Sequence, residues 1–80
     1  MLNIRVNGNY VTLCRYSELY LGYEWVMVER LGSTKDSSTY EIYCRPVRVW
    51  RERQKWGLMY ASVSKVCCEE RWNEIAVPKE

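Results

Sequence analysis

The stretch RPVRVWRERQKWGLMY, Arg45 to Tyr60, gathers five cations and three large aromatics around one acid, Glu52. Two kinds of recognition use such a mixture. A single-stranded nucleic acid needs cations along its phosphates and flat rings against its bases. Arg48, Arg51, Arg53 and Lys55 suit the first task; Trp50, Trp56 and Tyr60 suit the second. Protein interfaces draw on the same types, because Trp, Tyr and Arg dominate their hot spots. A plainer reading makes the arginines solvated charges that guard an edge strand, and the tryptophans core. In a chain without Phe, some Trp has to fill the core. With Arg45 added, these residues form the expected partner-binding set.

Catalysis has less to work with. Histidine is absent, which removes the commonest general base and the commonest metal ligand. Glu69 and Glu70 are the only adjacent acids, and on a helix neighbouring side chains diverge by about 100°. They read as a solvated face. No glycine-rich phosphate loop or nucleophile elbow is present. A structural zinc site wants two short-spaced cysteine pairs, but Cys14 and Cys44 stand alone and Cys67 and Cys68 are adjacent. Reduced thiols are expected, with no metal and no cofactor. A thiol at Cys67 or Cys68 gains reactivity only near a helix N-terminus; a small buried hydrophobe is the simpler reading. The chain is not expected to be an enzyme.

Positioning these residues falls to a small body. Eighty residues make one domain with a thin core. Apolar residues at 48% and charged residues at 28% give a globular composition, not a disordered one. The net charge is only +2, yet residues 45–56 carry a local +4, so the remainder is at −2. Positive potential is therefore regional, a patch and not an arm. No apolar run approaches the ~18 residues of a membrane span, and MLNIRVNGNY lacks the pattern of a signal peptide. A cytoplasmic protein without membrane contact is expected.

The elements follow from periodicity. Leu2, Ile4 and Val6 alternate with Asn3 and Arg5, and Asn7-Gly8 suits a type I′ turn, so residues 2–14 read as a β-hairpin. Ser17 and Gly22 look like the start and stop of a short helical turn. YEWVMVER, residues 23–30, reads as a strand, and GSTKDSS, residues 32–38, as a mobile loop. YEIYC starts another strand, and Pro46 puts that strand at an edge or in a bulge. Residues 46–56 fit either a hairpin, with Val47 and Val49 inward, or a helix closed by Gly57. The hairpin is preferred and leads into a strand over residues 56–63. Residues 64–75 read as a helix capped by Ser64, with Cys68, Trp72 and Ile75 toward the sheet.

The expected fold is α+β and mostly β: an antiparallel sheet of four to five strands with a short C-terminal helix. An open sheet and a small SH3-like or OB-like barrel both satisfy the strand count. The expected function is protein binding without chemistry, with single-stranded nucleic acid as the alternative. The size suits a phage- or plasmid-encoded accessory inhibitor that occupies the surface of a host protein or defence complex. Glu18, Glu24, Glu29, Glu69 and Glu70 would then serve as phosphate mimics. Tyr16, Tyr20, Tyr23 and Trp25 form a secondary aromatic surface. An exposed edge strand also allows a homodimer by strand addition.

Overall fold

The computed structural model describes residues 2–20, 22–32, 37–47 and 55–77, with the backbone alone at residues 19 and 20. Five strands and one helix follow each other in the order β1 (Asn3–Val6), β2 (Asn9–Tyr20), β3 (Tyr23–Leu31), β4 (Ser38–Pro46), β5 (Gly57–Ser62) and α1 (Lys65–Ile75). The strands form one open antiparallel sheet in sequence order, so every neighbour in space is a neighbour in the chain. The barrel alternatives give way to this open meander.

The first hairpin forms as its sequence predicts. Asn7 and Gly8 both take positive φ, at 48° and 94°. Asn tolerates that region better than other side chains, and Gly enters it freely, which gives the type I′ twist that matches the flanking strands. Val6 then pairs with Asn9, and Ile4 with Val11.

The stretch that begins at Ser17 departs from expectation. Ser17 caps no helix; strand β2 runs on to Tyr20, with Ser17 opposite Trp25 and Tyr20 opposite Tyr23. Cross-strand pairing outweighs the local cap signal. Gly22 does take positive φ, at 79°, but in the turn of the β2–β3 hairpin. Strand β2 also has two register shifts, at Cys14 and between Ser17 and Tyr20. The first one matters for packing. Cys14 is an extra residue between Leu13, opposite Val28, and Arg15, opposite Met27. A bulge of this kind resets the alternation. Leu13 stays on one face of the sheet, and Arg15 moves to the other.

Each face has its own core. One holds Trp25, Met27 and Ile42 under Cys68, Trp72 and Ala76 of the helix end. The other holds Val6, Val11, Val26, Val28, Tyr43 and Trp56. The i, i+4 spacing of Cys68 and Trp72 puts both on the face of α1 that meets the sheet, and Ile75 packs at their border. Ser64 starts α1 from an extended conformation, its Oγ accepting the backbone N–H of Cys67 at 3.2 Å. Such a cap typically contributes about 1 kcal/mol. Arg15, turned by the bulge, reaches Glu69 of α1 at 3.0 Å.

Pro46 turns out to end an interior strand. Strand β4 lies between β3 and β5. Pro46 still pairs with Tyr23, but β5 pairing stops where Gly57 meets Cys44. The missing N–H of Pro46 therefore interrupts no ladder on the β5 side. The register shift that does occur here lies between Ile42 and Tyr43, with Met59 as the extra residue of β5. Val47 is a bend, its N–H donating to the Gly22 carbonyl at 3.2 Å. The choice between hairpin and helix over residues 48–54, and the loop tip over residues 33–36, lie outside the described residues.

Candidate functional site

Of the expected partner-binding set, Arg48, Trp50, Arg51 and Arg53 lie outside the described residues. The structure places Arg45, Lys55, Trp56 and Tyr60, and it does not place them on one surface. Tyr60 sits on the helix side of the sheet, half-buried, with the Arg71 guanidinium 5.1 Å from its ring centre. Trp56 lies in the opposite core and is 8% exposed. It is a wall of the core, not a ring offered for stacking. Arg45 lies over it, with the guanidinium carbon 4.0 Å from the ring centre. Lys55 is exposed.

Trp56 is held in place by a residue far away in sequence. Asn7 Nδ2 donates to the Trp56 carbonyl at 2.9 Å, and the Trp56 N–H donates to Asn7 Oδ1 at 2.9 Å. Asn7 belongs to the turn beside the outer strand β1, and Trp56 immediately precedes the outer strand β5. The sheet must therefore curl until its two edges approach. The face without the helix becomes concave, with Trp56 inserted from one edge.

A groove of about 670 Å³ remains on this concave face. Its apolar lining comes from Leu2, Ile4, Leu13, Val26 and Trp56, and its charged lining from Arg5, Arg45 and Glu24. Leu2 is 63% exposed, so part of the apolar lining meets solvent. Pairing explains the composition. Val26 stands opposite Tyr16 on one side and Tyr43 on the other, and Ile4 stands opposite Val11. Two positions along β3 from Val26, Glu24 faces Arg45, which meets its carboxylate at 3.1 Å.

The polar rim is preorganised. Tyr16 shares its hydroxyl proton between Glu18 and Glu24, with oxygens 3.2 and 3.3 Å away. Burial raises the Tyr16 hydroxyl pKa to about 12, helped by the charges of Glu24 and Glu18. At the other end of the same face, Arg30 Nε donates to Glu41 at 3.1 Å, and the Tyr43 hydroxyl donates to the same carboxylate oxygen at 2.8 Å. Ion pairs also tie Arg15 to Glu69 and Arg71 to Glu74. Among the described arginines, only Arg5 is left without a carboxylate, and it lies 5.5 Å from the Tyr10 ring centre.

The cysteines are free. Cys68 is fully buried, and burial pushes its thiol up to about 11. It serves as a small core side chain. Cys67 is exposed at the start of α1. Among the described residues no cluster of acids and cysteines is arranged to hold a metal ion, and no helix is long and apolar enough to cross a membrane.

Sequence reasoning missed this groove for a simple reason. Its lining residues are scattered over β1, β2, β3 and the approach to β5, and each looks like an ordinary core position. The one local signal was Leu2-x-Ile4 on an edge strand that begins before the hairpin core.

No protein-family model matches the chain, and no curated protein or solved structure shows significant similarity to it.

Proposed function

We propose that this chain is a small non-catalytic module that binds a segment of another protein in the groove on its concave face. The observation that supports it is the apolar lining at exposed Leu2 and half-buried Ile4 and Leu13, beside an aromatic wall at Trp56. Such a patch on a small protein is characteristic of an interaction site. Its charge narrows the partner. With Arg45 paired to Glu24, the lining keeps one cation without a carboxylate, Arg5, and Lys55 is exposed next to Trp56. The matching segment carries apolar anchors flanked by Asp or Glu. An accessory inhibitor encoded by a phage or plasmid, working in the host cytoplasm by occupying a partner surface, is the role this size suits.

Single-stranded nucleic acid is the less favoured reading. Arg45 is committed to Glu24 and Trp56, and Trp56 presents little face for a base to stack on. Four of the five described arginines are neutralised by carboxylates, which weakens the counterion-release drive.

Selection from a random-peptide display library tests the proposal. Peptides with apolar anchors and acidic flanks are expected to enrich on the wild-type protein and not on Leu2→Lys. Fluorescence anisotropy of labelled single-stranded DNA and RNA at low salt runs in parallel. Salt-sensitive binding there, with no peptide enrichment, would transfer the site to nucleic acid.

A further inference from the structure

The outer strand β5 differs from the other edge of the sheet. Strand β1 has four residues, and Arg5 is one of them. Strand β5, GLMYAS, has six residues and contains no charge and no proline. Charges, prolines and short lengths are the usual means by which an edge strand is kept from pairing with another chain. Strand β5 lacks the first two, and the chain around it is unusually apolar at the surface. Leu58 is 55% exposed, Met59 51%, Val63 82% and Val66 63%.

We infer that β5 is a dimerisation edge, and that its occupant is β5 of a second copy in antiparallel pairing. The register follows from the sequence. A two-fold axis at Ala61 sets Ala61 opposite itself, Tyr60 opposite Ser62, and Met59 opposite Val63 of the second copy. Each match suits its neighbour. Ala61 is exposed and small, so the strands approach without a side-chain barrier. Met59 is 51% exposed and Val63, at the bend just after β5, is 82% exposed, and the two-fold axis brings Met59 of each copy beside Val63 of the other. No like charges meet anywhere in the ladder. The bulge at Met59 interrupts the inner ladder with β4, so the straight part of β5 available for pairing is Tyr60 to Ser62, where the axis falls.

Size sets the strength. A stable interface covers about 800 Å² per partner. A ladder this short supplies only part of that area, and Leu58, Met59 and Val63 extend it. The dimer is therefore expected to be weak and reversible. An interface related by a two-fold axis closes on itself, so it stops at two copies and does not grow into a fibre.

Sedimentation velocity of the full-length chain over a wide concentration range tests this. The wild type is expected to shift from monomer to dimer as concentration rises. Ala61→Lys places two cations across the axis and is expected to raise the dimer Kd by about tenfold or more, with an unchanged circular dichroism spectrum. Met59→Lys, at an exposed position, is expected to do the same. Leu2→Lys, on the groove and outside the β5 ladder, leaves the dimer intact, so failure of the groove proposal and failure of this one are separable. A chain that stays monomeric at every concentration overturns the inference. So does a dimer that survives both Ala61→Lys and Met59→Lys.

Discussion

The side-chain amide of Asn7 holds the backbone of Trp56 by two hydrogen bonds, one in each direction, both 2.9 Å long and across 49 residues of sequence. The amide acts as a short piece of strand. It satisfies one N–H and one C=O that β-sheet pairing leaves open at the start of β5. It also sits in the turn of the first hairpin, at a φ of 48° that few side chains adopt. One residue thus fixes the turn, the curl of the sheet and the wall of the groove.

Replacing Asn7 separates these roles. Asn7→Gly keeps the positive φ and removes both hydrogen bonds, at a cost of about 1–2 kcal/mol. Asn7→Ala adds the strain of a Cβ in the left-handed region, about 1 kcal/mol more. Urea unfolding of the three proteins should rank them wild type, Gly, Ala. A Gly variant as stable as the wild type would mean that the clasp contributes nothing.

Trp72 fills the opposite core against Trp25, Met27 and Ile42. Trp72→Ala is expected to cost about 3–5 kcal/mol. For 80 residues the whole stability is on the order of 4–12 kcal/mol, so the variant loses much of it. Val66→Ala, on the exposed side of α1, is expected to change stability by less than about 0.5 kcal/mol. Thermal unfolding followed by circular dichroism reads both.

Tyr16 reports the rim of the groove. Its hydroxyl ionises near 12 in the fold and near 10 when unperturbed. Stability linked to it is complete below pH 10 and is lost as pH rises toward 12, because the unfolded chain ionises first. Glu24→Gln removes one of the two facing charges and is expected to bring the Tyr16 value down. Ultraviolet titration of tyrosinate absorbance, with Tyr16→Phe as the reference, measures the change.

The thiols should react in an order set by burial. Cys67 is exposed and reacts first with a disulfide reagent, Cys14 and Cys44 follow, and Cys68 reacts only on unfolding. Burial also moves the Cys68 thiol from 9.0 to about 11. The stability tied to it is therefore whole below pH 9 and falls between pH 9 and 11. Timed alkylation with mass-spectrometric readout gives the order. Fast labelling of Cys68 in the native protein would contradict the packing of α1.

Much of the frame was legible in the residues. The hairpin at Asn7-Gly8 has a turn whose backbone chemistry is local. The helix has a cap at Ser64 and a buried stripe at Cys68 and Trp72, and both signals lie within a few residues of each other. Two things were not legible. A bulge at Cys14 leaves no mark in a run such as VTLCR, and period two read straight through puts Arg15 on the face of Leu13 instead of beside Glu69. Nor does a Trp in a basic stretch reveal its face. Trp56 is placed by Asn7 and by its step of two from Leu58, which pairs with Tyr43. Ser17 and Gly22 misled for the opposite reason. Their local preferences are real, but β3 offers pairing partners to Tyr16, Ser17 and Tyr20.

The concave groove is proposed to receive an apolar protein segment. Isotope-labelled methyl spectra of the wild-type chain, titrated with a display-selected peptide, test it most directly. Shifts are expected in the methyls of Leu2, Ile4, Leu13 and Val26, with Val66 unmoved and binding lost in Leu2→Lys. Shifts confined to α1 or to β5, with Leu2→Lys binding as well as wild type, would contradict it.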